Sequence, residues 1–291
     1  MTEFLRQFHH PVDVLRFAVD RDDVFALVCV TNIHGGSMRA KGALMAVTVT
    51  DVAGYISNGC VDGDIVFQAR DMLAEQTKKP KRLIYGEGSP FKDIALPCGG
   101  SIEVLIVPEP DPAHLNDVLT RLESREATEL RVPGFEWRYM PKLRLRIAGR
   151  GAAIDALARQ AVQAGFEVHL QSPDTGIVGY ERIDHLSDLT APPIIQDDAW
   201  SAVVLMFHDH DWEGALLKQA LTGEAFYIGA MGSPQTHQNR IAMLTEHGCS
   251  QEEIARIRGP IGIIPSMRDA NLLALSTLAE IVKTAQDAGR L

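Results

Sequence analysis

Apolar and polar positions along this 291-residue chain follow two patterns in succession. In the first, short apolar, β-branched runs predict strands at Phe25 to Thr31, Ala43 to Thr50, Arg82 to Tyr85 and Ser101 to Val107, set off by Gly, Asn or Asp. Val12 to Ala18 reads as a helix end. Val61 to Glu75 carries Ile65, Val66, Ala69, Met72 and Leu73 at helical spacing, and Ala113 to Leu122 is a further helix. From Glu123 to Lys142 the pattern decays into charges, Pro133-Gly134 and Pro141. Residues 1–125 are therefore read as a mixed α/β domain and 126–142 as a linker.

The second pattern begins at Leu143 to Ala148, a strand followed by Gly149-Arg150-Gly151, a helix through Gln163, a stop at Gly165 and a strand from Phe166 to Leu170. This βαβ opening predicts a Rossmann-like parallel-sheet domain over 143–291, so the fold class is α/β throughout. Further strands at Ala202 to Phe207 and Ala225 to Ile228 deliver His208-Asp209-His210-Asp211 and Gly229-Ala230-Met231-Gly232-Ser233 to one edge, and Ala270 to Ala285 is a helix. Ligands of such sheets bind outside the carboxyl ends of the strands, which gathers Gly149, Gly151, His208, Gly232 and Ser233 on one crevice. Two departures weigh against a dinucleotide there. Ile154 stands in the place of a third glycine, and Gln171 where an acid would grip a ribose, so NAD is expected to bind weakly. The His-Asp-His-Asp run admits a metal reading, but consecutive residues cannot all face one ion, and Asp211 reads better as a helix cap.

The candidate chemistry is sulfur. Cys60, in Ser57-Asn58-Gly59-Cys60-Val61-Asp62-Gly63-Asp64, and Cys98, in Pro97-Cys98-Gly99-Gly100, both stand in glycine-rich loops that strip bulk from around a thiol. Cys29 lies in an apolar run and reads as core, and Cys249 as a turn residue. The Cys60 loop opens onto a helix N-terminus, where amides and the helix dipole favour anions. Two thiols in such loops predict one shared site at the rim between the domains.

Composition narrows the function classes. Apolar residues at 46% and charged residues at 23% describe an ordinary globular protein, and 291 residues exceed a usual single core. A net charge of −10 argues against nucleic acid as a partner, because phosphate binding needs Lys and Arg. The polar N-terminus and the lack of an apolar span of about 20 residues predict a cytoplasmic protein that does not enter a membrane. Four cysteines without a CxxC or zinc spacing fit a reducing compartment.

In order, Gly36-Ser37-Met38-Arg39 with Gly42-Ala43, Gly59-Cys60-Val61-Asp62-Gly63-Asp64, Cys98-Gly99-Gly100, the G-x-G turn after Pro141, His208-Asp209-His210-Asp211 and Tyr227-Ile228-Gly229-Ala230-Met231-Gly232-Ser233 resemble the XdhC/CoxI family of molybdenum-enzyme maturation factors. Gly259-Pro260-Ile261-Gly262 and the last helix continue the resemblance over nearly the whole chain. It implies a chaperone, not a turnover enzyme. Such a protein binds the molybdenum cofactor, as molybdopterin or its cytosine dinucleotide form. It shields the cofactor while a terminal oxo ligand is exchanged for sulfur and delivers it to an apo molybdoenzyme of xanthine dehydrogenase type. A cysteine desulfurase and a second copy of the chain, as a homodimer, are the other implied partners. The expected contacts are Ser37, Arg39, Gly59, Cys60, Asp62, Cys98, Gly99, Gly100, Gly149, Gly151, His208, Gly232 and Ser233, with Cys60 touching the metal and Arg39 the phosphate.

The departures from the family pattern fall in the second half. Ala152 replaces the usual histidine after the turn, Gln171 replaces an acid, and Ile263-Ile264-Pro265-Ser266 replaces an L-x-I-G stretch. Two other readings stay open. One is a Rossmann oxidoreductase using NADP or another nucleotide, with Gln171 and Ser172 tolerating a 2′-phosphate. The other is a degenerate interaction protein that recognises the client enzyme without a ligand. A large, oxygen-sensitive cofactor is expected to need cover from both domains, with the 126–142 segment as the hinge.

Overall fold

The computed structural model describes residues 10–57, 59–86, 99–208 and 211–291. Contacts divide the chain into two units, Met1–Pro141 and Lys142–Leu291.

The first unit is built on a five-stranded antiparallel sheet, ordered β3-β2-β1-β5-β4. Its strands are β1 (Phe25–His34), β2 (Leu44–Thr48), β3 (Val52–Gly54), β4 (Lys81–Gly86) and β5 (Ser101–Pro108). Side chains alternate across a strand, and both faces here are buried. Phe25, Leu27 and Cys29 of β1 pack on one side with α1 (Pro11–Val19) and α3 (Pro112–Glu123). Ala26, Val28 and Val30 pack on the other with Ile65, Val66, Ala69, Met72 and Leu73 of α2 (Asp62–Ala74). Cys29 is buried, as its sequence setting predicts, and burial pushes its thiol pKa up, which keeps it protonated.

The segment expected to be a linker is a hairpin. β6 (Thr128–Val132) pairs with β7 (Phe135–Tyr139) around Pro133-Gly134, with Val132 opposite Phe135 and Gly134 at φ +89°. Pro followed by a positive-φ glycine suits a tight turn. Leu130, Phe135 and Tyr139 enter the same core as α1 and α3, and the Tyr139 hydroxyl donates to the Gly42 carbonyl at 2.6 Å. A side chain at Gly42, which has φ +90°, would collide with the Trp137 indole. The hairpin thus fixes the end of the 35–43 loop, which carries Ser37 and Arg39.

The second unit is a six-stranded parallel sheet ordered β10-β9-β8-β11-β12-β13. The strands are β8 (Arg144–Gly149), β9 (Glu167–Ser172), β10 (Arg182–His185), β11 (Ser201–Met206), β12 (Tyr227–Ala230) and β13 (Ile257–Arg258). Ranked by appearance, this is the 3-2-1-4-5-6 order of dinucleotide-binding sheets. The helices are α4 (Ala152–Gln163), α5 (Glu213–Thr222), α6 (Pro234–Glu246), α7 (Gln251–Ala255) and α8 (Ala270–Asp287). One core contains Leu157 of α4 and Ile281 of α8; the other contains Leu216 of α5 and Leu244 of α6. β10, β13, α6 and α7 go beyond the sequence reading. Asp211 is not the cap of α5. That position is held by Trp212, which makes no side-chain cap bond.

Arg146 is the largest fully buried side chain of this unit. It meets Asp197 through Nε at 3.0 Å and through Nη2, and donates from Nη1 to Gln171 Oε1 at 2.9 Å. Asp197 lies in the irregular segment before β11, so the pair ties that segment to the sheet. Removing one member of a fully buried ion pair leaves the other uncompensated, at a cost of about 3–5 kcal/mol. Asp197→Ala should therefore lower the stability of the second unit by about that much in urea unfolding of the full chain. A loss of about 0.5 kcal/mol, the scale of a neutral surface change, would contradict the role given to the pair.

Candidate functional site

Strand register brings the two glycine-rich loops of the first unit to one edge. His34, the last residue of β1, and Gly86, the last of β4, both pair with Ser101, the first of β5. Leu44, the first of β2, pairs with Cys29, and Gly54, the last of β3, with Met45. The 35–43 loop, the 55–61 loop and Gly99-Gly100 therefore meet the sheet at the same rim. A Cβ on Gly35 would come within 3.0 Å of Gly100 Cα, and one on Gly100 within 2.6 Å of the His34 carbonyl oxygen. Bare backbone is what lets these segments close on one another. Cys98 lies outside the described residues; its neighbour Gly99 is exposed and stands on this rim.

Cys60 is exposed, one residue before the Val61 cap of α2. The loop that presents it is held from beneath by Asp62, which is completely buried. The Asp62 carboxylate accepts from the amides of Ile56 at 2.6 Å, Ser57 at 3.1 Å and Gly59 at 2.7 Å, and from the Ser57 hydroxyl. The Ser57 hydroxyl accepts in turn from Val61 N–H at 2.8 Å. With its oxygens committed to the chain, Asp62 is a brace for the cysteine loop and not the ligand contact the sequence suggests. Two residues on, Asp64 accepts from the Tyr85 hydroxyl at 2.6 Å. This bond seats the first turn of α2 over the end of β4. Burial and the bond to Asp64 push the Tyr85 pKa well up, so the phenol stays a donor.

The Ser37–Arg39 loop joins the same assembly. The Ser37 hydroxyl donates to the Arg39 carbonyl at 2.8 Å, and the Arg39 guanidinium lies 4.7 Å from the centre of the Tyr55 ring, in the loop leading to Cys60. A cation over an aromatic face gains an electrostatic attraction. Of the rim glycines, Gly59 and Gly99 have no other described residue within 4 Å of an added Cβ, whereas Gly100 is packed tightly. Gly100 therefore serves close packing.

In the second unit, His208, Gly232 and Ser233 line one cavity of about 340 Å³ with Phe207, Met231 and Ile264. Ser233 caps α6 by accepting from Thr236 N–H at 3.1 Å. Arg240, buried against Glu213 at 2.9 and 2.8 Å, donates to the Met231 carbonyl at 2.8 Å and so fixes the loop before the cap. Burial, with Arg240 alongside, pushes the His237 pKa down and favours the neutral ring. Asp209 and His210 lie outside the described residues, and with them the metal reading of His208–Asp211. Among the described residues no group of three or more His, Cys, Asp or Glu side chains is arranged to hold a metal ion.

The glycine turn after β8 departs from expectation in two ways. Gly149 is not an open contact. An added Cβ would meet the Met206 carbonyl oxygen at 2.5 Å and Ile154 Cγ2 at 2.6 Å, so Gly149 permits the strand and helix to approach. Gln171 is fully buried, and its Oε1 accepts from Arg146 Nη1 at 2.9 Å. The acid beside the turn is Asp174, three residues further on, which accepts from Gly151 N–H at 3.2 Å. Ser172 places it, donating to the Gly149 carbonyl at 2.7 Å and accepting from Asp174 N–H at 3.1 Å. Sequence reading missed Asp174 because it looked for the acid at the end of the strand itself.

Known proteins align with both units. The profile of the XdhC and CoxI family matches residues 18–86, and that of the XdhC Rossmann domain matches residues 145–281. The molybdenum cofactor insertion chaperone PaoD of Escherichia coli (strain K12) is 35% identical over 303 aligned positions, covering 96% of this chain and 89% of PaoD. An uncharacterized protein of the same organism, YqeB, is 21% identical over 91% of this chain but only 44% of its own length. A solved structure from Bacillus halodurans, described as a xanthine dehydrogenase, superposes with a TM-score of 0.75 at 19% identity over 96% of each chain, which shows a shared fold. The cysteine loop, the Rossmann unit and the extended likeness to PaoD agree: the chain belongs to the XdhC and CoxI family.

Proposed function

We propose that this protein is an accessory chaperone of molybdoenzyme maturation, with the molybdenum cofactor as its cargo and no turnover of its own. The observation that carries the reading is the rim of the first unit: an exposed Cys60 held in place by the saturated, buried Asp62 and flanked by Gly59 and Gly99, where no other described residue lies within 4 Å of an added Cβ. The donor set suits the cargo. A thiolate is a soft ligand for a sulfur-bound metal, bare amides accept anionic or heterocyclic groups, and Arg39 adds a cation for a phosphate. The likeness to PaoD, described as an insertion chaperone, supports the same reading. In it, Cys60 contacts the metal, Ser37 and Arg39 bind the phosphate end, and the cavity of His208, Gly232 and Ser233 is a second place for a ring system.

Delivery to a xanthine dehydrogenase-type apoenzyme, after sulfur supplied by a cysteine desulfurase replaces a terminal oxo ligand, completes the proposed role. The test is anaerobic incubation of the full chain with released molybdenum cofactor, followed by gel filtration. Molybdenum and pterin fluorescence should co-elute with the protein, and the loaded protein should activate an apo molybdoenzyme of that type. Folded protein that retains neither molybdenum nor pterin would refute the proposal.

A further inference from the structure

The parallel sheet of the second unit ends in β10, which pairs with β9 on one side and, among the described residues, with no strand on the other. β13, at the far end of the sheet, has only two residues. Main-chain groups alternate sides along a strand. Leu186 N–H donates to the Ser172 carbonyl of β9 at 2.9 Å, so Asp184 and Arg182 also turn their main-chain groups towards β9, and Glu181, Ile183 and His185 turn theirs outward. Such an open row of donors and acceptors is a template for another strand, and proteins blunt it with proline, bulges or charge. This edge has no proline, and its register with β9 runs unbroken from Arg182 to His185. Its charges are ordered about a centre. Arg182 and Asp184 flank Ile183 with opposite sign, and Glu181 and His185 stand one step further out. Glu181, Arg182, Ile183 and His185 are exposed, and the same stretch of chain exposes Leu189 and, at 95%, Ile194.

We propose that β10 is the surface by which two copies of this chain associate, their edge strands pairing antiparallel about a two-fold axis at Ile183. A two-fold contact is self-complementary: where residue i meets j, j meets i. This register sets Ile183 against Ile183 of the partner subunit, Arg182 against the partner's Asp184 and Glu181 against the partner's His185. Because Ile183 turns its main chain outward, the central pair exchanges two N–H···O bonds. The Arg182 and Asp184 pairs then fall at the positions without main-chain bonds, where side chains stand closer. Opposite charges directly across antiparallel strands attract, and here they meet twice. Asp184 is suited to this, since its side chain is 32% exposed and meets His169 through Oδ2 alone, at 2.8 Å, which leaves Oδ1 for the guanidinium. Other centres fit worse. An axis at Arg182 or Asp184 would present main chain already turned to β9, and one at Glu181 would set two carboxylates face to face. The pairing joins two six-stranded sheets into one and covers Ile183 at its centre.

Sedimentation equilibrium of the unloaded full chain over a range of concentrations tests the proposal. The unmodified protein should show twice the mass of one chain and dissociate on dilution. Ile183→Pro removes an outward N–H that no bond to β9 uses, and should leave a monomer with unchanged circular dichroism. Arg182→Glu, at an exposed position, sets a carboxylate against the partner's Asp184 at both symmetric places and should raise the dimer dissociation constant roughly tenfold or more. Should Ile183→Pro lose its fold, Arg182→Glu decides alone. A monomer at every concentration overturns the proposal, as does a dimer whose dissociation constant Arg182→Glu leaves unchanged. The measurement involves neither cofactor nor Cys60, so its failure is distinct from failure of the cofactor reading.

Discussion

Cys60→Ala should abolish most retention of molybdenum cofactor while leaving the protein as stable as before. The side chain is exposed, and substitutions at such positions usually change stability by within about 0.5 kcal/mol. If the thiol is a direct ligand to the metal, its loss should weaken retention by about tenfold or more, since even outer-shell partners of metal ligands are worth that much. Cys249→Ala is the control: Cys249 packs against the core of the second unit and should leave retention unchanged. Gel filtration of the loaded variants and a melting curve read both quantities. A Cys60→Ala protein that melts normally and keeps its cofactor would remove the thiol from the site.

Asp62→Ala should show the opposite balance, losing stability and binding together. The amides of Ile56, Ser57 and Gly59 and the Ser57 hydroxyl would all lose their acceptor. Unsatisfied buried donors and the loss of hydrogen bonds to a charged group together set a cost of about 2–4 kcal/mol. The loop that presents Cys60 would no longer be held, so retention should fall with the folded state still populated. Asp62→Asn keeps one acceptor oxygen and should recover part of the stability. Urea unfolding and cofactor retention measured on the same samples check this. Unchanged stability in Asp62→Ala would show that the carboxylate is free and available as a ligand contact after all.

Why one aspartate of the cysteine loop braces while another faces β4 was not legible in the sequence. Asp62 and Asp64 both lie in the first turn of α2, where the dipole favours acids. Only the placing of the Ile56, Ser57 and Gly59 amides around its carboxylate turns Asp62 into an acceptor for that loop. Strands β1, β2, β4, β5, β8, β9, β11 and β12 and helix α2 were legible because their apolar spacing is regular, and the cysteine loop because its glycines are unusual. The hairpin at 128–139 was hidden by its charges. Leu130 and Val132, then Phe135, Trp137 and Tyr139, do alternate with Glu129, Arg131, Glu136 and Arg138, but Pro133-Gly134 read as a break and not as the turn joining two strands. Asp174 was missed for a different reason: Ser172, bonded to the Gly149 carbonyl, carries the acid past the strand end and back to the turn. Loop geometry of that kind arises from contacts distant in sequence.

Molybdenum K-edge X-ray absorption on the anaerobically loaded full chain tests the central claim most directly, because it reads the ligands of the metal itself. The account predicts a sulfur shell that loses one scatterer in Cys60→Ser, with an oxygen or nitrogen or an open position in its place. An identical sulfur shell in the two loaded proteins would contradict it and would leave Cys60 as a residue of the rim that does not touch the metal.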